Sequence, residues 1–248
     1  MSEQPTFVLI HGAWAASWVW DSLRAALEDQ GYAAITPDMP GNSRNPATPE
    51  QINMAGCLRA VEESCAGISG PLLIVGHSGG GVVATQVAEV MAERVAGVAY
   101  IAGMMLPSGV GFAELAGEAQ KTYLEAAGIW PHLVWSEDRQ SSTVPAKAIC
   151  DVFLQDLPHE QAMAAAQHFC AQPEGTRALV AEWTPERFGK LPRLYIEATQ
   201  DRSVVLPVQR RMQQLVPGAS VVSLDTGHVP QVVATDAVAD ALLSFALR

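Results

Sequence analysis

Basic residues are scarce in this chain: 15 Lys and Arg face 26 Asp and Glu, a net charge of −11. Such a surface repels phosphate backbones and anionic lipid and lacks the electrostatic attraction those partners require. Neither nucleic acid nor membrane is expected as a partner, which leaves a small molecule. Cysteine is also sparse. Cys57, Cys65, Cys150 and Cys170 show no C-x-x-C spacing and no paired histidines, which argues against a zinc site and a disulfide framework and for buried reduced thiols. The longest apolar run, "VAGVAYIAGMML", is too short to span a bilayer. The opening "MSEQPTFVLIHG" has no basic stretch leading into an apolar segment and a small-residue cleavage site, so a cytoplasmic protein is expected. There is no repeat at solenoid spacing, no low-complexity tract and no flexible linker.

What is present is apolar bulk. Of 248 residues, 49% are hydrophobic, enough for one large core, so a single domain with an insertion is expected. Short β-type runs alternate with helical patterns: "TFVLI", "SWVWDSLRAALEDQG", "YAAITPD", a helix near 50–66, "PLLIVG", a helix near 80–93, then "VAGVAYIAG". After a long interval follow "RLYIEAT", "LPVQRRMQQLVPG", "SVVSLD" and a closing helix from about 235. Apolar strands separated by helices predict an α/β fold: a mostly parallel sheet with helices on both faces and ligands at the carboxyl ends of its strands. The interval from Gly103 to Arg193 exceeds any ordinary connection, so residues 104–189 are expected to form a helical lid over that edge, with 1–103 and 190–248 as the core.

The chemistry centres on "PLLIVGHSGGG". A G-x-S-x-G pattern (Gly76, His77, Ser78, Gly79, Gly80) that follows an apolar strand and opens a helix is the context of a nucleophile elbow. The plainer reading is a glycine-rich turn with an incidental serine. A serine hydroxyl is a weak nucleophile and needs a base, and the base needs an acid to orient it. His228 lies just past the last predicted strand, at the same sheet edge, while His77 sits inside the elbow and His132, His159 and His168 fall in the insertion. Asp201 follows the preceding strand; its rival Asp225 is only three residues before His228 and is better placed to cap the strand end. The order Ser78, Asp201, His228 is the one such an elbow predicts. Two backbone N–H groups would hold a developing oxyanion, one from Gly79 and one from Ala13 in "FVLIHGAW", where His11 and Gly12 serve the turn's shape. No metal or organic cofactor is required.

The stretches "HGAWAASWVWDSLRAALEDQGYAAITPDMPG", "VGHSGGG" and "TQDRSV…DTGHV" resemble the α/β-hydrolase superfamily, and within it the branch of plant methylesterases, hydroxynitrile lyases and related bacterial esterases. The resemblance covers about residues 5–103 and 190–248 and implies the same triad and the same oxyanion donors. Lyases of that branch carry lysine after the catalytic histidine and threonine in the HG position; here stand Val229 and Gly12, which argues against cyanohydrin cleavage. Dehalogenases and epoxide hydrolases place aspartate at the elbow, where this chain has Ser78. Gly79 replaces a commonly bulkier residue and leaves room beside the nucleophile. The substrate site is expected to draw on Gly12, Trp14, Met104, Trp130, Trp135, Trp183 and Val229, although most aromatic residues of the insertion should form its own core. The expected activity is hydrolysis of an uncharged, largely apolar ester, such as a methyl or aryl ester or a lactone, through an acyl-serine. Alternatives are a slowly turning ligand receptor and a cofactor-free lyase or oxygenase with His228 as base. A homodimer is left open.

Overall fold

The computed structural model describes residues 4–42 and 44–247. Of the expected core limits, residues 1–3, 43 and 248 lie outside that description. The chain runs through β1 (Thr6–Ile10), α1 (Asp21–Asp29), β2 (Ala34–Ile35), α2 (Met54–Ser64), β3 (Leu72–His77), α3 (Gly80–Val90) and β4 (Val95–Ile101). A long excursion follows with α4 (Phe112–Ala119), β5 (Val134–Trp135), β6 (Ser141–Thr143), α5 (Ala146–Val152), α6 (His159–Ala166), β7 (Gln172–Pro173) and α7 (Glu174–Arg177). The chain then returns as β8 (Arg193–Ala198), α8 (Leu206–Leu215), β9 (Ala219–Leu224), α9 (Pro230–Val233) and α10 (Thr235–Ala246).

Six strands pair in the order β2-β1-β3-β4-β8-β9, every pairing parallel, with Leu9 beside Val75, Val75 beside Ala99 and Ala99 beside Leu194. The apolar runs explain this: β1 and β3 are buried at every position, as strands covered on both faces must be. Alternate residues serve opposite cores. Val8, Ile10, Ile74, Val98 and Tyr100 pack with α2, α3 and α8, whereas Phe7, Leu9, Val75, Ala99 and Ile196 pack with α1 and α10.

Three local expectations differ from the outcome. "YAAITPD" gives only a two-residue strand, because Pro37 offers no N–H to continue the ladder. "SWVWDSLRAALEDQG" starts as a 3₁₀ turn over Ser17–Trp20, since Asp38 takes the Ser17 N–H (2.7 Å) and hydroxyl (2.9 Å) and α1 begins only at Asp21. The excursion between β4 and β8 is not wholly helical: β5, β6 and β7 form a small antiparallel sheet. That excursion has its own core, in which Ile149, Phe153 and Leu154 meet Trp14 and Val229 from the main body. Among the described residues no helix is long and apolar enough to cross a membrane.

Candidate active site

The turn between β3 and α3 holds Ser78 at φ +50°, a left-handed conformation that costs a non-glycine residue roughly 1–3 kcal/mol and persists only where neighbours fix it. They do so here: Ser78 N–H donates to Ile101 O (3.3 Å), and Ser78 O accepts from the N–H of Gly81 (3.0 Å) and Met104 (2.9 Å). At Gly80 a Cβ would stand 2.4 Å from Ile10 O and 2.5 Å from His11 O, so α3 can start against β1 only with glycine there. Gly79 is different; its nearest such neighbour is Ala13 N at 3.9 Å, so space, not crowding, adjoins Ser78 on that side.

Loops after β8 and β9 bring Asp201 and His228 to the same edge. His228 Nδ1–H donates to Asp201 Oδ2 at 2.8 Å, and both side chains are buried. Asp201 Oδ1 accepts from the N–H of Ser203 (2.7 Å) and Val204 (2.9 Å), and Gln209, fully buried, reaches Oδ2 at 3.4 Å while donating to Val204 O at 2.7 Å. With Nδ1–H committed, His228 keeps a lone pair on Nε2, the state a base needs. Ser78 and His228 line one recess, and among the described residues no hydrogen bond yet joins them; such contacts commonly tighten only around substrate. Asp225 points elsewhere. It accepts from Thr199 Oγ1 (3.0 Å) and Gln200 Nε2 (2.8 Å), bonds that hold its carboxyl below the usual range, and it caps the strand end in solvent.

The two other histidines at this edge are structural. His77 Nε2–H donates to His228 O at 2.8 Å, and burial, with the His228 ring 4.9 Å away, pushes its pKa down to about 3. His11 Nδ1–H donates to Gly12 O (2.8 Å) while Nε2 accepts from Met39 N–H (3.1 Å) and Asn42 Nδ2 (3.1 Å). With two donors aimed at Nε2, the ring is neutral, burial lowers its pKa, and Asp38 at 3.7 Å is no charge partner. His11 therefore shapes the turn that carries Ala13. Among the described residues neither Ala13 N–H nor Gly79 N–H finds a protein acceptor, and both line the cavity beside Ser78.

That cavity, of about 110 Å³, is walled mainly by apolar groups, among them Trp14, Val82, Met104, Phe112, Ile129, Trp130 and Leu179. A second recess of about 10 Å³ opens from Ser78 on the His228 side, between Trp14, Val19, Phe153, Phe169 and Val229. Of the expected substrate residues, Trp14, Met104 and Trp130 reach the larger space and Val229 the smaller. Gly12, Trp135 and Trp183 reach neither. Gly12 borders a shallow cleft behind Gly79, and a Cβ there would lie 2.8 Å from Ser78 Cβ. Trp135 is used against Trp130 (6.4 Å) and under Arg139 (5.0 Å). Trp183 packs on Phe188 (5.0 Å) and donates to Leu106 O (3.0 Å). Sequence reading missed Ile129, Leu179, Ser203 and Arg177. Arg177 lies over Trp130 (4.3 Å) and pairs with Glu174 one turn earlier, an i, i+3 spacing that was visible in "EGTR". Among the described residues, no group of three His, Cys, Asp or Glu is placed to hold a metal.

A strained serine between β3 and α3, an Asp–His pair on the following strand ends and free amides facing them define an α/β-hydrolase. The chain belongs to the alpha/beta hydrolase family, whose profile matches residues 7–241. It is 29% identical to the pyrethroid hydrolase of Sphingobium wenxiniae, over 96% of this chain and 86% of that one. It is 24% identical to methylesterase 7 of Arabidopsis thaliana, over 92% and 91%. The crystal structure of a pyrethroid hydrolase from Sphingobium faniae superposes with a TM-score of 0.85 at 27% identity, covering 98% of this chain and 97% of that one.

Proposed function

We propose that this chain, a carboxylic ester hydrolase of the alpha/beta type, cleaves esters that join a bulky, uncharged, apolar acyl group to a small alcohol, with Ser78, His228 and Asp201 as its triad. His228 Nε2 takes the Ser78 proton as Oγ attacks the ester carbonyl, and Asp201 fixes the imidazole and steadies its positive charge. The N–H groups of Ala13 and Gly79 receive the oxyanion. On collapse His228 returns the proton to the leaving alcohol, and a water activated by the same nitrogen then frees the acid from Ser78.

The observation that carries the substrate class is the unequal division of space around Ser78. Because His228 protonates the leaving oxygen, the alcohol must lie on its side. There the recess of about 10 Å³ has room for one water-sized group, whereas the apolar cavity opposite offers about 110 Å³. Methyl esters fit that division. Segment 104–189 serves in this reading as the lid, since Met104, Phe112, Ile129 and Trp130 cover the cavity. We place the protein in the cytoplasm, in keeping with four free cysteines, three of them buried.

The test is a series of methyl esters of apolar acids of graded size, run against benzyl esters of the same acids. Preference for methyl of about tenfold or more, lost in Ser78→Ala, is the expected result, with a fluorophosphonate adduct on Ser78. Equal rates for methyl and benzyl esters would remove the substrate class, and an adduct on another residue would remove the nucleophile.

A further inference from the structure

We propose that Gln172, which lies outside the substrate cavity, is a positioning residue for the oxyanion-binding amide of Ala13. The inference rests on the serine-hydrolase reading above. Trp14, next to Ala13, stands at φ +57°, a conformation foreign to a bulky residue unless its surroundings impose it. Gln172 Oε1 accepts the Trp14 N–H at 3.0 Å, and Cys170 N–H donates to Trp14 O at 2.8 Å. The peptide planes on both sides of the Trp14 Cα are thus held, which over-determines its dihedral angles. The first of those planes is the Ala13–Trp14 peptide, so the same bond limits how far Ala13 can rotate.

The side chain is gripped as well. Ser142 faces Gln172 across the β6–β7 pair, and its Oγ accepts the Trp14 indole N–H at 3.2 Å. Adjacent cross-strand residues therefore hold the backbone and the ring of one tryptophan. Gln172 and Ser142 are both buried, and Gln172 is itself fixed, its Nε2 donating to Thr176 Oγ1 (2.8 Å) and Pro173 O (3.3 Å). Every one of these anchors comes from the excursion between β4 and β8, while the amide they steady belongs to the loop after β1. The small sheet that sequence reading did not foresee thereby acquires a task in the chemistry.

Gln172→Met keeps length and removes the acceptor; Gln172→Glu keeps an oxygen at the same reach. In Gln172→Met, kcat on a methyl ester should fall about 10- to 100-fold with KM within about threefold, the signature of an interaction made in the transition state. Affinity for a trifluoromethyl ketone, which forms an oxyanion on the serine, should fall by the same factor. Amide exchange in the peptide spanning 11–16 should quicken about tenfold or more. Gln172→Glu should recover most of each. Unchanged kcat in Gln172→Met, or a rise in KM alone, overturns the inference even if exchange quickens. Unchanged exchange overturns it too. Wild-type protein that yields no Ser78 adduct overturns the hydrolase reading itself, a distinct result.

Discussion

Asp201→Asn is the substitution that most directly tests the role proposed for Asp201. Asp201 Oδ1 accepts two backbone N–H groups, from Ser203 and Val204 at 2.7 and 2.9 Å. In an asparagine the oxygen must keep those donors, which turns the NH₂ group toward His228 Nδ1 and Gln209 Nε2. A donor then faces Nδ1, so the imidazole must shift its proton to Nε2, where it can no longer accept from Ser78. Loss of the correct tautomer in a triad of this kind costs about 10⁴ in kcat, or about 5 kcal/mol of transition-state stabilisation. Asp225→Asn leaves an oxygen for Thr199 and Gln200 at an exposed strand end and should change kcat by less than about twofold. Proton release during methyl ester hydrolysis measures both, and circular dichroism checks that each variant is folded. Equal penalties, or more than about a tenth of wild-type activity in Asp201→Asn, would refute the argument.

Acid sensitivity follows from His77, whose pKa falls from 6.5 when unfolded to about 3 in the fold. Between those values the unfolded chain binds the extra proton, so stability is full above about pH 6.5 and declines as pH falls toward 3, by about 1.4 kcal/mol at pH 5.5 from this group. Denaturant unfolding at pH 7.5 and 5.5 should show that loss, and His77→Gln should reduce it; an unaltered slope would exonerate His77. Phe169→Ala removes one wall of the small recess and should raise the benzyl-to-methyl rate ratio about tenfold, which competition between the two esters would measure. Wild-type protein should release no cyanide from mandelonitrile above background, because Val229 offers no cation beside His228. Gly12→Thr should lose most esterase activity, since its Cβ would stand 2.8 Å from Ser78 Cβ; cyanide release by the wild type would overturn the first expectation, and retained esterase activity in the variant the second.

The sequence by itself determined the scaffold. Wholly apolar runs such as "TFVLI" and "PLLIVG" can be satisfied only by burial on both faces, and that dictates a parallel sheet with helices on either side. It also pointed to the proposed triad, because Ser78 directly follows β3 while Asp201 and His228 lie a few residues past β8 and β9, and parallel strands bring their carboxyl ends to one edge. The glycines around Ser78 were legible for the same local reason, although crowding demands Gly76, Gly80 and Gly81 and leaves Gly79 with room. The tertiary structure alone decided which aromatic residues line the cavity beside Ser78. Trp130 reaches the cavity while Trp135 and Trp183 do not, since a side chain's direction in a segment with little regular helix or strand depends on the local turn, which sets Trp135 under Arg139 and Trp183 on Phe188, and on remote partners such as Leu106. The same holds for Gln172 and Arg177. Gln172 meets Trp14 only because the small sheet folds over the loop after β1, and Arg177 meets Trp130 only because a short helix packs against another part of the same excursion; contacts between such separated segments leave no pattern in the order of residues.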